Sequence, residues 1–200
     1  MLNGIFNMTK KNRKDKLFEI LARNKVILFG DYVCSENGLR DTKYLDMNRL
    51  ISDPIGINYV TKKLALLCKN EVNSNTAVLG LAHTGIPYAS LVAQHLGLSL
   101  GYVRKERKNY GTKKIIEGNF PPKTKVIVVD DIIADPSETL PFLSNIKQEA
   151  LEIEALVVIV EKLPEETSRK VFENKGYKVL SLLQYKDYLK LESIVRNEKK

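Results

Sequence analysis

Three short stretches of this chain gather side chains suited to binding anions and sugars. The first, Ala82-His83-Thr84-Gly85-Ile86-Pro87, is a turn between an apolar run and a helical pattern. The second begins Tyr102-Val103-Arg104-Lys105-Glu106-Arg107-Lys108-Asn109-Tyr110-Gly111 and ends near Ile116-Glu117-Gly118; its Arg104–Lys114 portion sets six Lys/Arg against Glu106 alone. The third is Val128-Val129-Asp130-Asp131-Ile132-Ile133-Ala134-Asp135-Pro136-Ser137-Glu138. Adjacent carboxylates at the end of an apolar run suit ribose hydroxyls or a magnesium ion. A cation-rich loop suits a polyphosphate. The plain alternatives are a solvated acidic turn and a solvated basic loop.

Elements that present such residues are legible in the hydrophobic pattern. Near-continuous apolar runs at Ala77–Ala82, Lys125–Asp130 and Ala155–Val160 read as strands covered on both faces, and Tyr177–Leu183 as a fourth strand. Helical stretches fall between them, at roughly 54–69, 86–96, 137–148 and 165–175, with Gly97 and Gly176 placed as C-terminal stops. Strand–helix alternation predicts an α/β fold with a mostly parallel central sheet, whose ligands sit outside the C-terminal ends of the strands. The first fifty residues differ: a helix near 14–23, then Val26–Val33 and Lys43–Asp46, read as a small N-terminal hood. The expectation is one domain over 1–200, with the hood in 1–50 and the α/β core in 51–200. The Tyr185–Tyr188 region begins an amphipathic terminal helix expected to pack on the sheet.

Composition narrows the class. At 44% hydrophobic and 28% charged, no apolar run approaches the roughly 20 residues of a membrane helix. Residues 1–16 lack the apolar stretch of a secretory signal, and Cys34 and Cys68 are too few for a disulfide scaffold. A reduced, cytoplasmic protein is expected. The net charge of +8 is concentrated in residues 1–28 and 104–114, each at +5, which leaves the rest of the chain at −2. Nucleic-acid binding, polyphosphate chemistry and a plain solubilising role all accommodate such patches.

Taken together, Gly80–Ala89, Tyr102–Gly111 with Ile116-Glu117-Gly118, Val128–Ile133, and the upstream Phe29-Gly30-Asp31-Tyr32 with Tyr44-Leu45-Asp46 resemble the type I phosphoribosyltransferases. Within that group they are similar to the orotate phosphoribosyltransferases, in order and spacing over about 20–185. The resemblance implies a type I phosphoribosyltransferase fold, a homodimer, Mg²⁺ as cofactor, and phosphoribosyl transfer from phosphoribosyl pyrophosphate (PRPP) to orotate in pyrimidine biosynthesis. By position, Lys108 is implied as the catalytic cation, with Arg104, Lys105, Tyr110, His83 and Thr84 at the pyrophosphate. Asp130 and Asp131 are implied at the ribose hydroxyls, Asp131 also in catalysis, and Ala134, Asp135, Ser137 and Glu138 at the 5′-phosphate. Lys162 takes the orotate position, and no residue is assigned as a metal ligand. In this family the basic loop reaches into the neighbouring subunit's site.

Departures from the family pattern cluster in what a subunit supplies to its own site. Where the family has a Thr/Ala- and Gly-containing phosphate loop, this chain has Ala134-Asp135-Pro136-Ser137-Glu138, an N-cap, first-turn proline and capping-box sequence. The hood segment Tyr32-Val33-Cys34-Ser35-Glu36-Asn37-Gly38 lacks the family's lysine, and Lys162 replaces an arginine. These changes predict impaired activity for the chain alone. The alternative is a silent paralogue that binds a nucleotide, or that pairs with an active relative and lends it the basic loop. A nucleic-acid-binding role on the same scaffold is disfavoured, because a specific loop motif is retained where scattered cations would serve.

Overall fold

The computed structural model describes residues 10–34, 38, 40–109, 111 and 114–197 of the 200-residue chain, the side chains of residues 10–14 excepted. In chain order the elements are α1 (Lys10–Arg23), β1 (Ile27–Val33), β2 (Arg40–Leu45), α2 (Asn48–Ile51), α3 (Pro54–Leu67), β3 (Thr76–Leu81), α4 (Gly85–Leu96), β4 (Ser99–Val103), β5 (Ile116–Glu117), β6 (Lys125–Ile133), α5 (Pro136–Gln148), β7 (Glu152–Glu161), α6 (Arg169–Glu173), β8 (Val179–Leu183) and α7 (Tyr185–Asn197). Two compact units result. One takes in the described residues up to Gly56 together with those from Leu189 onward, and the other runs from Ile57 to Tyr188. The division therefore cuts α7, whose later turns belong with the N-terminal unit.

The larger unit is built on a six-stranded sheet in the order β5-β4-β3-β6-β7-β8, parallel except where β5 runs antiparallel to β4. β3 is buried along its whole length, and so are most of β6 and β7, as expected of strands covered on both faces. Alternate residues Ala77, Leu79, Leu81, Val126, Val128, Leu156 and Val158 join Leu143, Ile146 and Phe172 in one apolar cluster. On the other face Gly80 has a steric role. A Cβ there would lie 2.8 Å from the Ile86 Cα and 2.9 Å from the Ala89 Cβ, so its absence lets α4 lie close against β3.

Two segments depart from the pattern-based expectation. β6 does not stop at Asp130 but continues to Ile133, because β7 keeps pairing with it through Ile132↔Val160 and Ile133↔Glu161. The stretch 165–175 is not one helix. A 3-10 turn at Glu165–Thr167 precedes α6, and Ser168, at φ −123° and ψ −91°, breaks the helical path between them. Gly97 does end α4 in the left-handed conformation, φ 67°, and Gly176 has φ 80°.

In the smaller unit β1 and β2 form an antiparallel pair with an irregularity between Phe29 and Tyr32. Lys43 on β2 bonds Glu192 on α7 at 2.6 Å, and Glu192 also holds Arg196 at 3.0 Å. Asp53 organises the chain before α3. It accepts from Asn24 at 2.8 Å and Arg23 at 2.6 Å, and its other oxygen accepts the Gly56 N–H at 2.9 Å. The Asn24 hydrogen bond, then the Gly56 N–H and Arg23, hold its carboxyl well below the usual carboxylate range.

A carboxyl whose folded pKa is depressed contributes stability above its unfolded pKa, near 4, and loses it as pH falls toward the folded value. Asp53→Ala should lower the urea-unfolding free energy at pH 7 by about 1–2 kcal/mol, the usual worth of such a cap. The gap between wild type and variant should narrow progressively below pH 4; a gap that is independent of pH would contradict this assignment.

Candidate functional site

The parallel strands β3, β4, β6 and β7 end on one edge of the sheet, where open α/β sheets hold their ligands. The last β3–β6 pair is Gly80↔Val129, so pairing with β3 stops just before Asp130, and β6 from Asp131 onward extends beyond the end of β3. The turn from β3 into α4 is tied to β4 by the Ala82 N–H, which donates to the Val103 carbonyl at 3.0 Å. Its Ala82–His83 peptide is cis. Gly85 brings this turn against β6: a Cβ there would stand 2.6 Å from the Val129 carbonyl oxygen and 3.0 Å from Asp130 Oδ1. Thr84, the N-cap of α4, makes no side-chain cap bond.

A cleft of about 540 Å³ opens at this turn, lined by Ala82, His83, Ile86, Tyr102 and the chain from Arg104 to Glu106. It brings His83, Arg104 and Lys105, separated by some twenty residues in sequence, around one space. Arg104 donates to the Tyr102 hydroxyl and to Glu117 Oε1, each at 3.3 Å, and Lys108 makes a short ion pair with the same Glu117 oxygen. Lys108, then Arg104 and Lys114, keep the Glu117 carboxyl below its usual range. Arg107 reaches Glu149, just past the end of α5, at 2.8 Å.

Asp130 and Asp131 set two carboxyls side by side on β6. Burial pushes the Asp130 carboxyl well above the usual carboxylate range, and the neighbouring Asp131 charge pushes it further. The Asp131 N–H donates to Asp130 Oδ1 at 3.0 Å. Magnesium is ordinarily held by one or two carboxylates together with substrate phosphates and water, and this pair fits that demand. Among the described residues no group of three or more His, Cys, Asp or Glu forms a metal cage.

Beyond β6 the helix α5 is capped from within. Asp135 has extended backbone, φ −143° and ψ 117°; its Oδ1 accepts the Ser137 N–H at 2.8 Å, and Pro136 follows it as a residue without an N–H. Glu138 sits in the same first turn. Partial desolvation, then Asp135, raise its carboxyl above the ordinary value, while the Lys105 charge acts the other way. Ala134, Asp135, Ser137 and Glu138 thus form a turn with two carboxyl groups of its own.

Not every residue singled out in the sequence meets in the cleft. Lys162 lies after β7, its N–H donating to the Ile133 carbonyl at 2.9 Å, which places it beside the end of β6 rather than among the cleft-lining residues. Tyr110 and hood residues 35–37 lie outside the described residues. The acidic pair is not at a strand terminus: Ile132 and Ile133 continue β6 beyond it. Sequence reasoning missed the buried Glu161, whose carboxylate pairs with Arg169 at 2.5 Å and accepts from the Ser181 hydroxyl. No spacing rule connects these three, which come from the end of β7, the start of α6 and the middle of β8. The role of Glu117 as partner of Arg104 and Lys108 was missed as well, although its motif was visible.

Comparison with known proteins accords with this geometry. A family profile described as "Phosphoribosyl transferase domain" matches residues 56–187. The orotate phosphoribosyltransferase of Aeropyrum pernix is 29% identical over 182 residues, covering 91% of this chain and 96% of that protein. That of Sulfurisphaera tokodaii is 31% identical over 169 residues, 84% of each chain. A crystal structure of the Aeropyrum pernix enzyme matches with a TM-score of 0.75 at 27% identity, over 87% of this chain and 96% of that one. The chain belongs to the phosphoribosyl transferase family, with the orotate phosphoribosyltransferases as its relatives across nearly its whole length.

Proposed function

We propose that this protein transfers the phosphoribosyl group of PRPP to orotate, giving orotidine monophosphate and pyrophosphate, as a cytoplasmic homodimer with Mg²⁺. The observation that carries the reading is the convergence of His83, Arg104 and Lys105 on one cleft beside Gly85, the residue against which Asp130 is seated. In the reaction the bond from ribose C1′ to the pyrophosphate oxygen breaks, a bond from C1′ to the orotate ring nitrogen forms, and the proton that nitrogen loses leaves on the pyrophosphate or to water. Positive charge grows at C1′ while negative charge grows on the departing pyrophosphate. Arg104 and Lys105 at the cleft, with Lys108 from the same stretch, neutralise the latter where water is partly excluded. The carboxyls of Asp130 and Asp131 orient the ribose by hydrogen bonds with its hydroxyls. Asp130 and Asp131 would hold Mg²⁺, and the ion would supply further charge neutralisation for the pyrophosphate. Lys162 offers a charge toward orotate without the two-pronged fork of a guanidinium.

The self-capped α5 makes the chain, acting alone, a weakened enzyme. The N-terminus of a helix after a strand is a ready seat for a 5′-phosphate, and here the Asp135 carboxylate already takes the Ser137 N–H. A carboxylate about 4 Å from a phosphate charge costs roughly 4 kcal/mol at an effective dielectric of 20. Turnover of orotate and PRPP with Mg²⁺ should therefore be detectable but slow, and Asp135→Thr combined with Pro136→Gly should tighten PRPP by about 10- to 1000-fold. Complete absence of turnover at high protein concentration, in wild type and double variant alike, would overturn the enzymatic reading.

Retention of the basic stretch beside a filled phosphate seat favours one second reading, a subunit that serves an active relative. In mixtures with such an enzyme, Lys108→Ala in this chain should lower the mixed dimer's rate at least about tenfold, the scale of removing a charge-stabilising group. An unchanged rate dismisses loop donation.

Asp130 sets stability against activity. Its folded pKa is raised, so ionising it costs stability progressively as pH rises from its unfolded value near 4 through the folded one. Asp130→Asn should leave thermal stability near wild type at pH 4 and raise the melting temperature by about 2–8 °C at pH 8. It should also cut kcat/KM at least tenfold. A variant less stable than wild type at pH 8 would refute the strained-acid description.

A further inference from the structure

The cations implied at the pyrophosphate have a resident partner in this chain. Arg104 Nη1 stands 3.3 Å from Glu117 Oε1, and Lys108 Nζ is paired with that same oxygen. The three side chains are only 30%, 22% and 23% exposed, respectively for Arg104, Lys108 and Glu117, so water screens these pairs less than it would on an open surface.

Backbone register explains why the carboxylate is there. The two residues of β5 pair antiparallel with β4, Glu117 opposite Tyr102 and Ile116 opposite Val103, and the Arg104 N–H donates to the Ile115 carbonyl at 2.8 Å. A Cβ at Gly101 would fall 2.5 Å from the Glu117 carbonyl oxygen, so β5 lies hard against β4 and has little freedom to shift. Glu117 is thus fixed at the base of the basic stretch. The Tyr102 hydroxyl accepts a second bond from Arg104 at 3.3 Å and completes the support.

We infer that Glu117 is an internal stand-in for the diphosphate: it holds Arg104 and Lys108 when no ligand is bound, yields them to the arriving diphosphate, and takes them back as the product leaves. This rests on the phosphoribosyltransferase reading above. Glu117 is a positioning residue, since it acts through the two cations and not on the reacting atoms. The exchange of one carboxylate for a more highly charged diphosphate keeps the cations ordered at every stage. It also lowers the affinity for both PRPP and pyrophosphate, because each must displace an existing partner.

Inorganic pyrophosphate with Mg²⁺, titrated calorimetrically into the full chain, is the probe. Glu117→Gln keeps the shape of the side chain and removes its charge, and should tighten pyrophosphate by about 3- to 30-fold, the scale of losing one or two partly screened ion pairs. Glu117→Asp, which draws the carboxylate back by one methylene, should tighten it by a smaller factor. In steady-state turnover KM for PRPP and kcat should fall together in Glu117→Gln, as product leaves more slowly. With Lys108→Ala already present, the effect of Glu117→Gln should shrink below about twofold, the signature of coupled partners. Structural damage at the β4–β5 pair would instead raise KM and persist without Lys108.

Pyrophosphate binding that is unchanged or weaker in both Glu117 variants overturns the stand-in role while leaving the phosphoribosyltransferase reading intact. Failure of pyrophosphate to bind wild type and variants alike overturns both.

Discussion

A parallel sheet covered on both faces has nowhere to keep an ionised group except where one strand outruns its neighbour. That constraint governs this protein. β3, β6 and β7 carry apolar side chains through the core, and the first carboxylates of β6 come one residue after its last pairing with β3. Asp130 stays partly withdrawn from water even there, because Gly85 brings the turn before α4 against it. The raised Asp130 pKa follows from that close approach and from the charge of Asp131. Position, protonation and steric fit at the acidic pair are consequences of one packing arrangement, and a side chain at Gly85 would disturb all three.

Two helices start at this edge, and they treat anions oppositely. α4 begins at Gly85 without a side-chain cap, and the cleft beside it is lined by Arg104 and Lys105. α5 begins with Asp135 bonded to its own first turn and with Glu138 close by. The electrostatic asymmetry is large: one helix start faces two cations, the other contains two carboxyl groups. A ligand carrying phosphate at both ends is therefore favoured at its diphosphate end and penalised at the other. Lys105 softens this contrast, since its charge is felt at Glu138 as well as in the cleft.

Much of this was readable from sequence for reasons that are local. Apolar runs such as 125–130 and 155–160 mark doubly covered strands whatever their neighbours are, and Asp135-Pro136 announces a capped helix start through chemistry confined to three residues. What could not be read depends on register. β5 has two residues and no periodicity; it exists because Tyr102 and Val103 offer an unpaired edge. The pairing of Glu117 with Arg104 and Lys108 follows from that register, and so lies beyond any reading of spacing. β6 runs past the acidic pair because β7 keeps pairing alongside it, and Glu161 at the end of β7 meets Arg169 of α6 and Ser181 of β8 only through side chains from three separate elements. Lys162, legible as a substituted arginine, is likewise placed by the extension of β6, to whose last carbonyl its N–H bonds.

The internal partners of this site differ in how readily they give way. Glu117 meets its cations across a strand pair, thirteen residues from Arg104 in sequence, through side chains of several rotatable bonds. Such a contact carries a considerable ordering cost, so a multiply charged ligand displaces it without disturbing the fold. Asp135 bonds an N–H only two residues away through a short side chain. Its ordering cost is small, and releasing it leaves a helix end uncapped, a loss of about 1 kcal/mol before any ligand is repelled. Exchange at the diphosphate end is therefore built to be reversible, whereas exchange at the α5 end works against both helix stability and charge. The chemistry of the cleft can survive intact while the affinity for a doubly phosphorylated ribose falls, and the difference traces to where each carboxylate is anchored.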